Sequence, residues 1–125
     1  PNVRVLRDWP HAAVMQAWQR SLLGIVPSTW SDPCPTVAME AMALGKPLIA
    51  TRIGGLTDLV SDGETGLLVP PGDSLALRQA MTHLLADPEL RTRMGQAGKR
   101  KVVAFQAGSV VQRLEQVYQE LVPTG

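Results

Sequence analysis

Asp32 and Glu40 are two carboxylates with seven residues between them in the segment PSTWSDPCPTVAMEAMALGKP, Pro27–Pro47. Paired acids serve either as general acid and base or as a grip on ligand hydroxyls. Glu40 falls inside an otherwise apolar run ending at Leu44, opened by Pro35 or Thr36 and closed by Gly45. Proline suits the first helical position and glycine the left-handed cap, so a helix is predicted here. Apolar residues fall on almost every side of it, which predicts burial, and Thr36 and Glu40 share one face. A buried carboxylate needs a partner, since leaving it alone costs on the order of several kcal/mol. That partner is a polar ligand, or else Lys46 or a nearby backbone group with Asp32 a plain turn residue. The expected N-cap is Cys34, a poor acceptor for the first amides. Those of Thr36, Val37 and Ala38 are then left open at the positive end of the helix, an arrangement that suits an anion.

The elements that must position these residues alternate along the chain. Val3–Leu6 reads as a short strand and Pro10–Arg20 as a helix with Ala13, Val14, Ala17 and Trp18 inward. Leu22–Val26 is a buried strand ending at Pro27-Ser28, and Pro47–Thr51 is the next, followed by a Gly54-Gly55 turn. Thr57–Val60 forms a helical turn, Gly66–Val69 the last strand, and Pro70-Pro71-Gly72 a break. Asp73 caps a helix through Ala86 with Leu75, Leu77, Ala80, Met81, Leu84 and Leu85 on the core side. Asp87-Pro88 opens another, with Leu90, Met94, Ala97 and Val102 at helical spacing, and a final helix runs from Ser109 to Leu121. Strands separated by helices predict an α/β fold of parallel βαβ units that binds ligands at the carboxyl ends of the strands. The expectation is one domain, with βα units and the acid motif in residues 1–72 and helices in 73–125.

The order of motifs resembles a known family. Pro-Ser and an acid are followed by Glu-Ala-Met-Ala-Leu-Gly-Lys-Pro, then Gly-Gly-Leu, then Asp-Gly-Glu-Thr-Gly-Leu-Leu-Val-Pro-Pro. This is similar to the carboxy-terminal, donor-binding domain of retaining glycosyltransferases with the glycosyltransferase-B fold, of family 4 and the group 1 type. The similarity is close from about Val3 to Val69 and looser over the helical tail. It implies a Rossmann-like parallel sheet with a helical tail, and transfer of a sugar from a nucleotide sugar to an acceptor. It implies that Glu40 binds the ribose hydroxyls of the donor and that Asp32, in the place of the family's first glutamate, holds hydroxyls of the transferred sugar. Asp is shorter than Glu by one methylene, roughly 1.5 Å of reach, which bears on sugar choice. Thr36 and Val37 would give amides to the diphosphate, with Cys34 and Pro35 beside them; a glycine common in relatives is here Pro35. Arg7, Asp8 and Trp9 stand where relatives line the nucleobase pocket, and Asp8 occupies a position that is often glycine. No bound metal or other cofactor is implied, because relatives hold the diphosphate with amides and basic side chains.

Other residues carry two readings each. Trp9 stacks on a base or is a half-buried loop aromatic, and Trp30 walls the sugar or covers the helix end. Cys34 has no basic neighbour to make it a nucleophile. His11 and His83 are expected on helix surfaces. Arg91, Arg93, Lys99, Arg100 and Lys101 form a basic patch that is a solvated face, or an attraction for an anionic acceptor or membrane surface. Gly54 and Gly55 permit a tight turn near the ligand.

Composition narrows the classes. The chain has 125 residues, 45% of them hydrophobic, and a net charge of +1. That fits one globular domain and argues against nucleic-acid binding, since no continuous basic stripe appears. No apolar run approaches the ~20 residues that span a bilayer, and the single cysteine excludes an internal disulfide. A reducing cytosol, at or away from a membrane surface, suits that usage. The family's Arg and Lys pair that neutralises the departing diphosphate precedes the part matched here, and its acceptor site lies in an amino-terminal domain. The 125 residues alone are therefore expected to be inactive, and exposed strand edges are expected to promote self-association. The alternatives are a stand-alone nucleotide-sugar or phosphate-binding module, and a sugar epimerase of the same fold.

Overall fold

The computed structural model describes residues 2–32, 35–103, 116–117 and 119–121. Eight elements follow in order: α1 (His11–Arg20), β1 (Gly24–Val26), α2 (Thr36–Ala43), β2 (Leu48–Thr51), α3 (Gly55–Leu59), β3 (Gly66–Val69), α4 (Ser74–Ala86) and α5 (Pro88–Val102). The strands form a parallel sheet in the order β1-β2-β3, with Gly24 opposite Leu48 and Leu48 opposite Gly66. Short apolar strands joined by helical crossovers give the predicted α/β, Rossmann-like arrangement.

All four residues of β2 are buried, because helices cover both faces of the sheet. Leu48 and Ala50 point to one side, into a cluster with Ala38, Ala41 and Met42 of α2 and Leu56 and Leu59 of α3. Ile49 points to the other side, among Ala80 and Leu84 of α4 and Leu90 and Met94 of α5. Backbone approaches backbone where β3 meets β2: a Cβ on Gly66 would collide with the Leu48 carbonyl oxygen. The same holds between helices, where a Cβ on Gly95 of α5 would collide with the carbonyl oxygen of Gly45.

The helix ends follow local chemistry. The Asp73 side chain accepts a bond from the Ala76 amide at 2.9 Å, and Asp87 from that of Leu90 at 3.0 Å. After α2, Gly45 takes φ 73°, the Lys46 amide donates to the Ala41 carbonyl and the Gly45 amide to that of Met42. These two bonds are the Schellman pattern, in which glycine takes the left-handed position.

Several expectations are corrected. Residues 3–6 form no strand; Val3 and Val5 are 73% and 78% exposed, because a strand needs a ladder partner and the described residues supply none. None of α1 is buried, and Ala17 is exposed. Leu75 and Leu85 are exposed, since the buried stripe of α4 is the narrower arc through Ala80 and Leu84. The helix α2 is not buried all round: Ala38, Ala41 and Met42 face the core, while Thr36 and Val37 are exposed. Its N-cap is Pro35, not Cys34, because Pro35 keeps a non-helical ψ of 84° and the helix starts after it. The helical turn near residue 57 begins at Gly55. Cys34 and most of the helix predicted from Ser109 to Leu121 lie outside the described residues.

Candidate functional site

The carboxyl ends of the strands carry the loops that hold the predicted site residues. Asp32 follows β1 on a half-buried turn whose backbone leans on the Gly54-Gly55 corner after β2. The Gly55 amide donates to the Asp32 carbonyl oxygen at 2.8 Å. A Cβ on Gly54 would lie 2.8 Å from the Asp32 nitrogen and from Ser31 Oγ. Gly54 also adopts φ 56° and ψ −144°, a backbone region that essentially only glycine occupies. The glycine pair thus gives the acid turn its seat, as the sequence suggested for a tight turn.

At the start of α2, Pro35 provides no side-chain cap, and among the described residues the first amide to bond back is that of Met39, to the Pro35 carbonyl. Thr36 and Val37 sit exposed at this end. Glu40 lies four residues further, about 6 Å along the axis. Its side chain is 26% exposed rather than fully buried, so solvent or a ligand reaches it. Its partner is neither of those expected within the protein. Nε2 of His11 donates to Oε1 of Glu40 at 2.9 Å, while Lys46 Nζ donates to the Gln19 carbonyl oxygen at 3.0 Å. An ionised carboxylate only accepts, so the imidazole carries its proton on Nε2. Sequence reasoning placed His11 on a surface with no role; the two residues are 29 apart, and no local pattern signals the contact.

The loop before α1 has a defined shape. Asp8 adopts φ 54°, the left-handed conformation that glycine takes at no steric cost. Trp9 follows, 44% exposed, and Pro10 at φ −57° caps α1, so the Arg7–Trp9 bend runs directly into His11. Trp30 is 67% exposed.

The DGETG motif proves to be a self-tied loop. Asp62 Oδ1 accepts from the Leu68 amide at 3.0 Å and Oδ2 from Arg52 at 3.1 Å, while the Ser61 amide donates to Thr65 Oγ1 at 2.9 Å. The basic patch divides into two uses. Arg91 Nη1 donates to the Leu84 and Leu85 carbonyls at 2.7 and 2.9 Å. Lys101 Nζ holds the Asp58 carbonyl and Ser61 Oγ at 2.9 and 2.8 Å. These two tie helix ends, whereas Arg93, Lys99 and Arg100 remain on the exposed face. A cleft of about 200 Å³ opens on the α4 side of the strand ends, between Pro27, Thr51, Val69 and Leu77. No group of three metal-ligating side chains is found among the described residues. Nor is any helix among them long and apolar enough to cross a membrane.

A parallel sheet of this build is matched by known proteins. The profile of the family described as glycosyl transferases group 1 aligns with residues 1–101. The chain belongs to that family. It is 37% identical over 117 residues to D-inositol 3-phosphate glycosyltransferase of Corynebacterium diphtheriae, covering 94% of this chain and 27% of that protein. Sucrose-phosphate synthase from Thermosynechococcus elongatus superimposes with a TM-score of 0.76 at 40% identity, over 84% of this chain and 26% of that one. HepE of Anabaena, in complex with UDP, superimposes with a TM-score of 0.79 at 26% identity, over 85% and 29%. The chain thus spans little more than a quarter of each of these three relatives, and it is part of the carboxy-terminal domain of a glycosyltransferase-B fold.

Proposed function

We propose that this chain is the donor-binding part of a retaining glycosyltransferase, which moves a hexosyl group from a nucleotide sugar to an acceptor in the cytosol. The supporting observation is the solvent-reachable Glu40 on α2, one turn from the exposed start of that helix. A carboxylate there accepts from two ribose hydroxyls, while exposed amides at a helix start favour the diphosphate. HepE, in its complex with UDP, shares this fold over 85% of the chain. In this reading Asp32 meets the sugar and the Arg7–Trp9 bend meets the base. Cys34 and Pro35 flank the phosphates, and the donor is held without a metal. Transfer belongs to the whole protein, because the charge that stabilises the leaving diphosphate and the acceptor site come from elsewhere in the family's fold.

Titration of UDP-, GDP- and ADP-sugars against the intact protein and its Glu40→Gln variant tests the assignment. The variant is expected to bind the preferred donor about tenfold more weakly, as for a lost charge-assisted hydrogen bond; unchanged affinity sinks the ribose role. The purified 125 residues are expected to show no turnover with any of the three donors, and measurable transfer refutes that part.

A further inference from the structure

The bond between His11 and Glu40 joins two places that the proposed site keeps separate, the bend beside the base and the acid beneath the ribose. His11 is the first residue of α1, directly after Trp9 and Pro10, so its imidazole moves with the bend. Glu40 stands on another helix and would otherwise rotate about three side-chain torsions. His11 Nε2 engages Oε1 and leaves Oε2 and a second lone pair of Oε1 for the two ligand hydroxyls. The His11 side chain is 72% exposed, and an ion pair or hydrogen bond so open to water adds little to fold stability. Its effect falls instead on Glu40. A glutamate already held in place loses less rotamer freedom when a ligand arrives.

We infer that His11 is a positioning residue of the nucleotide site, holding Glu40 in its ribose-binding orientation and tying it to the Arg7–Trp9 bend. This rests on Glu40 being the ribose acid, and the experiment separates the two ideas. The intact protein and its His11→Ala, His11→Gln and Glu40→Gln variants are titrated calorimetrically with UDP, ADP and GDP and with the 2′,3′-dideoxy counterpart of each. His11→Ala is expected to weaken the best ribonucleotide about three- to tenfold and its dideoxy counterpart by no more than about twofold. His11→Gln, whose amide donates in place of the imidazole, is expected to restore most of the loss. Thermal midpoints are expected to stay close to that of the parent, since the side chain is exposed.

If Glu40→Gln erases the preference for the ribonucleotide but His11→Ala leaves it intact, the ribose assignment stands and the role of His11 is overturned. Equal weakening of both nucleotides by His11→Ala overturns it as well. If Glu40→Gln keeps the preference, or none of the three diphosphates binds, the ribose assignment falls and the inference with it.

Discussion

Asp32 stands where the resemblance places a glutamate, and the fold holds its backbone. The Gly55 amide fixes the Asp32 carbonyl, so the carboxylate starts from a set position and is about 1.5 Å shorter than a glutamate would be. Asp32→Glu is therefore expected to change the preference among donor sugars while leaving nucleoside diphosphate affinity within about twofold. Competition between pairs of donors with the same nucleotide measures this, and an unchanged preference removes Asp32 from the sugar pocket. At this scale the sequence was legible where the signal was chemical type: an acid inside MEAMALGKP had to meet something polar. It was silent about His11, because a contact across 29 residues depends on how α1 lies against α2. It also overstated the burial of Glu40, since an apolar run does not say which side of a helix the core will cover.

Elements were most legible where both ends carry local chemistry. Asp73 and Asp87 cap α4 and α5 as their sequence predicts, and Gly45 ends α2. Strand pairing was harder to foresee: Gly66–Val69 has its predicted bounds, whereas residues 3–6 have the composition of a strand and no partner among the described residues. Leu75 and Leu85 show the same limit on α4, where hydrophobicity alone does not give the width of the buried arc. The corner between β2 and α3 offers the sharpest test of an element. Gly54→Ala places a methyl group against the acid turn and forces an unfavourable backbone conformation. A loss of at least about 2 kcal/mol in denaturant unfolding is expected, with weaker donor binding in whatever protein still folds. Parent-like stability would show that the acid turn does not depend on this seat.

On the scale of the molecule, the sheet is covered on both faces, and β1 and β3 are its end strands. Among the described residues β1 pairs only with β2, and Val3, Val5 and Leu22 are exposed. An unpaired edge beside apolar side chains favours association. The purified 125 residues are expected to sediment increasingly as dimers with rising concentration, and Val5→Lys to shift them toward monomer. Concentration-independent monomers would show that this edge is protected. The contact between Gly95 and Gly45 bears on how such a molecule moves. With no side chain between α5 and the end of α2, nothing compressible separates them, so a displacement of α5 must carry α2 along. Because α2 bears Glu40, the setting of that carboxylate is mechanically linked to a helix on which no ligand group has been placed. A single methyl group at position 95 would act there as a wedge, felt at Glu40.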